Sequence, residues 1–298
     1  MSIKPRDFGL LLVGGLMLAL LGCNGGSSTS TLNLGVTDTP VDGAQSVVVA
    51  FTGVDLMGPG GQQSYSFATE KTIDLLAQQG TNSASLLSGV TVLAGNYQWI
   101  RLDIDPANSY IVTSTGAKYP LTIPSGSQTG LKLVSGFTIA QGGVADFVID
   151  FNLRGSVTQS NAGGTVSYML TPALRLINEQ QVGTVSGTVS STLSIGGALI
   201  TTPACMPAVY VYPGTVSASL LDGFNVSVSG GTAPLTSATI SLNNTTGVYG
   251  YTVGFLAPGT YTLAVTCAAD DITGATSLAF STTQTATVTA NTMTTVNF

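Results

Sequence analysis

The chain has 298 residues, 44% of them apolar and only 7% charged, with 8 basic against 14 acidic side chains and a formal net charge of −6. That is enough apolar material for a buried core, and an acidic chain without a Lys/Arg cluster has no electrostatic means of holding nucleic acid. Histidine is absent, which excludes Ser-His and Cys-His nucleophile pairs, histidine general bases and every metal site built on imidazole.

The chain opens on a head carrying Lys4 and Arg6, continues in an apolar run from Phe8 to Leu21, and reaches Gly22-Cys23. A charged head, an apolar middle and a small residue before the cut make a secretory signal, here residues 1–22. Leu20-Leu21-Gly22-Cys23 resembles a bacterial lipobox. That resemblance implies a mature chain that starts at Cys23, carries diacylglycerol and palmitate there, and is held on a membrane by lipid. The alternative, an N-terminal membrane helix, falls short of the roughly 18–20 apolar residues a span requires. Asn24 stands where an aspartate would direct inner-membrane retention, so the expected location is the bacterial cell envelope, at the outer membrane. Residues 23–31 are Gly-, Ser- and Thr-rich without apolar periodicity and read as a flexible tether.

From Leu32 the sequence reads as strands. Leu32-Asn33-Leu34-Gly35-Val36 alternates at period two, Asp38 to Gly43 is a turn cluster, and Ser46 to Leu56 is β-branched and apolar until Gly58-Pro59-Gly60-Gly61 breaks it. Thr72 to Leu76 is a short apolar run, and Asn82 to Leu87 is a candidate helical turn capped by Asn82. Tyr97 to Ile104 is a strand with Tyr97, Trp99, Arg101 and Asp103 on one face and Ile100, Leu102 and Ile104 on the other. Asp105-Pro106-Ala107-Asn108 turns the chain. Strands at Tyr110 to Thr113, Tyr119 to Ile123, Leu131 to Val134, Phe137 to Ile139, Ala145 to Leu153 and Val166 to Ile177 follow. A strand candidate about every ten residues, with Gly or Pro between, is the spacing of a sandwich.

Arg175 is the last basic residue, and beyond Gly183 only Asp222, Asp270 and Asp271 carry charge. This shift marks a boundary between a first domain at residues 32–180 and a second at 183–298. In the second, strands are expected at Gly183 to Val189, Ala208 to Tyr212, Ser217 to Leu220, Phe224 to Val228, Ala238 to Leu242, Tyr249 to Phe255, Gly259 to Cys267, Gln284 to Val288 and Met293 to Phe298. The fold class is therefore all-β: two consecutive antiparallel β-sandwiches, immunoglobulin-like or transthyretin-like, behind a lipoprotein signal peptide. With Cys23 given to lipid, Cys205 and Cys267 remain, and in an oxidising compartment they predict a disulfide, two buried free thiols being the alternative. Closing a loop of about 62 residues would contribute roughly 4 kcal/mol in the chain-entropy description.

Val36-Thr37-Asp38-Thr39-Pro40-Val41-Asp42 and the run Val47 to Leu56 resemble the opening of a bacterial lipoprotein family known as domain of unknown function 4382. Ile73-Asp74-Leu75-Leu76, Leu93-Ala94-Gly95-Asn96-Tyr97, Ile100-Arg101-Leu102, Pro124 to Leu133, Asp150-Phe151-Asn152-Leu153-Arg154 and Leu170 to Leu176 continue the likeness in order through Asn178. The resemblance implies a secreted, usually lipid-anchored β-domain and no assigned activity. The second domain is similar, on Gly187-Thr188-Val189 and Leu256 to Leu263, to transthyretin-like and carbohydrate-binding-like sandwich modules.

Candidate sites are sparse. Tyr210 and Tyr212 lie two apart, as do Tyr249 and Tyr251; in strands each pair shares a face, and adjacent strands would make a four-tyrosine platform able to stack on a sugar. Core packing is the alternative, there and for Tyr97 and Trp99. Asp103, Asp105 and Asn108 resemble part of a calcium loop, but calcium takes about 6–8 oxygens and the repeated acidic spacing is missing, so a turn cap at Asp105 is expected. The glycine-rich Pro124 to Gly130 reads as a turn, with ligand cradling as the alternative. Asp150 and Arg154, four apart in a strand, would share a face and pair. No catalytic residue, metal site or cofactor is expected. The function expected is non-catalytic binding, adhesion or scaffolding, with the membrane lipid and a glycan or envelope protein as partners. A carbohydrate-binding module using the tyrosines is the first alternative, and a hydrolase using aspartates alone the second.

Overall fold

The computed structural model describes residues 28–124, 130–225, 228–267 and 278–298. The signal peptide, Cys23 and most of the Pro124 to Gly130 turn lie outside the described residues. No helix among those described is long and apolar enough to cross a membrane.

The first body holds β1 (Thr29–Thr37), β2 (Ala44–Gly58), β3 (Gly61–Asp74), β4 (Ala84–Leu93), β5 (Gly95–Tyr97), β6 (Trp99–Ile104) and β7 (Tyr110–Thr113). It continues with β8 (Lys118–Thr122), β9 (Leu131–Leu133), β10 (Phe137–Ile139), β11 (Val144–Asp150), a one-turn helix α1 (Leu153–Ser156), β12 (Val157–Ala162), β13 (Thr165–Leu170) and β14 (Arg175–Asn178). A sheet in the order β14-β11-β1-β4 faces a larger one in the order β12-β13-β8-β7-β2-β6-β9, with β3 paired to β2. The core lies between them: Leu32, Leu34 and Val36 of β1 and Phe147 and Ile149 of β11 meet β2. On β2 the inward residues are Val47, Val49 and Phe51, then Val54 and Leu56. The change from odd to even follows from a register shift between Phe51 and Gly53, because one extra residue in a bulge turns the rest of the strand over.

The second body holds β15 (Gly183–Val189), β16 (Ser194–Ile195), β17 (Ala198–Leu199), β18 (Ala208–Pro213), β19 (Thr236–Thr239), β20 (Ser241–Asn243), β21 (Val248–Leu256), β22 (Gly259–Thr266), β23 (Gln284–Val288) and β24 (Met293–Thr295). Its sheets run β20-β21-β15-β24 and β19-β18-β22-β23. Val185, Val189 and Val253 on one pack against Val209, Val211, Leu263 and Val265 on the other. Cys205 and Cys267 form a disulfide that pins the ends of the neighbouring strands β18 and β22, where the Met206 N–H also donates to the Cys267 carbonyl at 3.1 Å.

The all-β reading holds, with pairing mostly antiparallel and parallel in β1–β11, β13–β8 and β15–β24. Several local expectations give way to tertiary pairing. Thr29 to Thr31, read as tether, already pair with β4 and β11. Asn82 to Leu87 is no helical turn, since Ala84 onward is claimed by β4 alongside β1. The short turn comes earlier, at Leu75–Ala77, where the Asp74 carboxylate accepts from the Leu76 N–H at 3.1 Å. The Tyr97 to Ile104 strand is interrupted at Gln98, whose N–H donates to the Met57 carbonyl at 2.8 Å. Tyr97 is thereby turned into the core, stacked on Phe137 at 4.9 Å, instead of standing beside Trp99. Ser217 to Leu220 is a short 3-10 turn at Ala218–Leu220, and Phe224 and Asn225 lie outside any strand.

Candidate functional site

β1 and β11 are parallel, with Thr37 opposite Asp150, so both leave the first sandwich at the same end. The segments that follow them, Asp38 to Asp42 and Phe151 to Arg154, are brought together there. The Asp38 carboxylate accepts from the Leu153 N–H at 2.9 Å. Arg154, on α1 and wholly buried, donates through Nε to the Pro40 carbonyl at 3.0 Å and through both terminal nitrogens to the two oxygens of Asp42. Such a two-pronged charge-assisted pair is directional as well as strong. Asp150 pairs with Arg175 at 2.8 Å. The expected Asp150–Arg154 pairing is therefore replaced by two others, because the chain leaves the strand at Asp150 and Arg154 stands on a helical turn, not on the Asp150 face.

The second body docks on this end. Arg154 donates to the Tyr210 hydroxyl at 3.3 Å and lies over its ring at 5.5 Å. The Thr39 and Thr236 hydroxyls share a buried hydrogen bond of 2.7 Å. A Cβ on Gly254 would stand 2.3 Å from the Gly80 carbonyl oxygen, so glycine permits the two backbones to touch. A cavity of about 20 Å³ lies at the seam, lined by Asp38, Asp150, Arg175 and Ser237 among others, and Asp38 Oδ2 and Ser237 Oγ have no hydrogen-bond partner among the described residues. Burial, with Asp150 adding to it, lifts the Asp38 carboxyl well above the usual carboxylate range, against the lowering effect of the Leu153 amide and Arg154.

Beside the seam opens a groove of about 720 Å³. Its floor is the outward face of the β20-β21-β15-β24 sheet. Inward Val185, Val189 and Val253 leave Ser186, Thr188, Gly250 and Thr252 pointing out, and the register sets Thr252 opposite Ser186 and Gly250 opposite Thr188. Thr295 extends the first row. Asn297 extends the second, accepting from the Thr188 N–H at 2.8 Å. Pro40, Gln79 and Gly80 of the first body wall one side.

The expected tyrosine platform is not formed. Tyr210 and Tyr212 share a face of β18, as alternation requires, but that face is buried under Val216, Leu221, Phe224 and Phe280 and under Arg154. Tyr249 and Tyr251 are on β21, in the opposite sheet. Tyr251 is buried, its hydroxyl donating to the Val296 carbonyl at 2.7 Å, and burial pushes its pKa up. Tyr249 is half-buried. Asp105 caps the Pro106–Asn108 turn, accepting from the Ala107 N–H at 2.9 Å, and no group of three metal-ligating side chains occurs among the described residues. Asp55 and Asp103 come near each other, but Arg101 pairs with both, and Trp99 is covered by Arg101 and Lys132. Burial, then the Asp55 charge, raises the Asp103 pKa, and Arg101 works against both.

Residues 29–172 match the family described as domain of unknown function (DUF4382). The first body belongs to this family. The segments that met at its seam end, Thr37 to Asp42 and Asp150 to Arg154, both fall within the matched region. No curated protein matches the chain. Among solved structures it is similar to a leucine-rich repeat protein from Bacteroides thetaiotaomicron, at 14% identity over 91% of this chain and 26% of that one, TM-score 0.23. The TIE protein of Bacillus anthracis follows at 10% identity over 91% and 34%, TM-score 0.21. A candidate cell adhesion protein of Bacteroides eggerthii matches at 14% identity over 91% and 86%, TM-score 0.21. The chain thus spans about a quarter of the first and a third of the second, and likeness at these TM-scores carries no argument about function.

Proposed function

We propose that the chain is a non-catalytic binding protein of a bacterial cell envelope, lipid-anchored through Cys23 at the outer membrane and acting in adhesion or scaffolding. One observation carries this reading: two β-bodies meet through a buried polar seam and together wall an open groove. A seam of that kind sets the bodies in a fixed relation, which suits holding a partner against a surface. Of the titratable groups nearby, Asp42 with Arg154 and Asp150 with Arg175 are engaged with one another, and Asp38 is buried within the seam. General acid–base chemistry needs a titratable group within reach of its substrate, and the described lining of the groove offers no carboxylate or amine. The Cys205–Cys267 bond accords with an oxidising compartment.

The partners are the membrane, through lipid, and a glycan or envelope protein. Radiolabelled palmitate should enter the full chain and fail to enter Cys23→Ser, and cells bearing the chain should adhere to envelope-coated surfaces more than cells bearing that variant. Equal labelling of both chains, or turnover of an envelope polymer by the purified protein, would overturn the reading.

A further inference from the structure

We propose that the groove on the β20-β21-β15-β24 face is the binding site of an uncharged oligosaccharide, with the first body supplying one wall. The inference rests on the binding-protein reading and names the ligand class it would serve.

No described residue that lines the groove is charged, so phosphorylated, sulfated or acidic ligands, which are held by fixed counter-charges, gain nothing there. What the floor presents is Ser186, Thr188, Thr252, Thr295 and Asn297, with Gln79 on the wall. Hydroxyl and amide side chains both donate and accept, as sugar hydroxyls do. Their placement is a lattice, about 4.8 Å between strands and about 6.6 Å between outward residues of one strand, over which successive hydroxyls of a sugar ring can be met by successive side chains. Gly250 keeps the middle of the floor open: a Cβ there would meet only the Gly187 carbonyl oxygen, at 3.4 Å. Val248, 42% exposed and on the same face of its strand as Gly250 and Thr252, supplies apolar surface for the C–H faces of the rings. The volume falls within the roughly 300–1,000 Å³ of small-molecule sites. An extended peptide is disfavoured because strand addition needs a free sheet edge, whereas β15 and β21, which carry most of the floor, are each paired on both sides.

The test is a glycan microarray probed with the full chain in detergent, with cellotetraose, maltotetraose and the N-acetylglucosamine tetramer as neutral probes and sulfated and sialylated glycans as charged ones. Adhesion to envelope fragments is measured alongside. At least one neutral glycan should retain the chain, undiminished in about 0.5 M NaCl, where surface electrostatics are screened. Gly250→Leu, which fills the floor, should weaken that retention at least about tenfold, equivalent to about 1.4 kcal/mol, with Tm unchanged. If Gly250→Leu lowers Tm, the Ser186→Ala/Thr252→Ala pair takes its place with the same expectation. Retention by charged glycans alone, by none, or undiminished in the groove variants overturns the proposal. Should the chain adhere to envelope fragments while no neutral glycan retains it, the saccharide assignment fails and the binding reading stands; if it adheres to neither, both fail.

Discussion

Arg154 is the most informative residue to remove. Its side chain is wholly shielded from solvent while that of Asp42 is 12% exposed, and one guanidinium serves the Pro40 carbonyl, both Asp42 oxygens and the Tyr210 hydroxyl. Arg154→Ala leaves a largely buried carboxylate without this cation and opens a cavity beneath Tyr210. Breaking a buried pair from one side costs about 3–5 kcal/mol, and the partial access of water to Asp42 places this case near the lower end, about 3 kcal/mol. At about 2–4 °C per kcal/mol for a unit of this size, Tm should fall by about 6–12 °C. Calorimetry on the wild type, Arg154→Ala, Asp42→Ala and the double variant gives the coupling directly, expected to exceed about 1.5 kcal/mol. Replacing both partners by apolar groups, Arg154→Met with Asp42→Leu, should recover most of the loss, since the desolvation of both charges disappears with them. A single-variant cost below about 1 kcal/mol, or a coupling near zero, would refute the account of the seam as a charge-locked junction.

Gly254→Ala forces a Cβ to within 2.3 Å of the Gly80 oxygen; it should cost about 1–3 kcal/mol as overpacking does and split one urea transition into two, with a single unchanged transition counting against direct docking. Asp38 binds its proton more tightly in the folded chain, so stability should fall as pH rises from the ordinary carboxylate pKa of about 3.9 through the raised folded value. Asp38→Asn keeps an acceptor for the Leu153 N–H and should flatten that slope in urea midpoints measured across the range; identical slopes would contradict the assignment. Reducing the Cys205–Cys267 bond, whose ends are 62 residues apart, should lower the stability of the second body by about 4 kcal/mol in the chain-entropy description; an unchanged melting curve in reductant would remove that expectation.

Strand periodicity, the absence of histidine, the charge shift after Arg175, the cysteine count and the ordered motifs from Val36 to Leu176 were all legible in the chain. They are local or compositional, and the physics behind them acts along the backbone: alternation because successive side chains point to opposite faces, the disulfide because only Cys205 and Cys267 remain once Cys23 is set aside as the expected lipid site. Which face each strand turns to the core, and what covers the other face, was not legible. Tyr210 and Tyr212 alternate as a surface pair would, and it is the packing of Val216, Leu221, Phe224, Phe280 and Arg154 over them that makes them interior. Arg154 looked like a partner for Asp150 because both lie four apart, yet parallel pairing of β1 with β11 delivers Asp42 from 112 residues away. The groove was invisible for the same reason. Ser186, Thr188 and Thr252 are ordinary outward positions until the first body, docked through a glycine-to-carbonyl contact, gives them a wall.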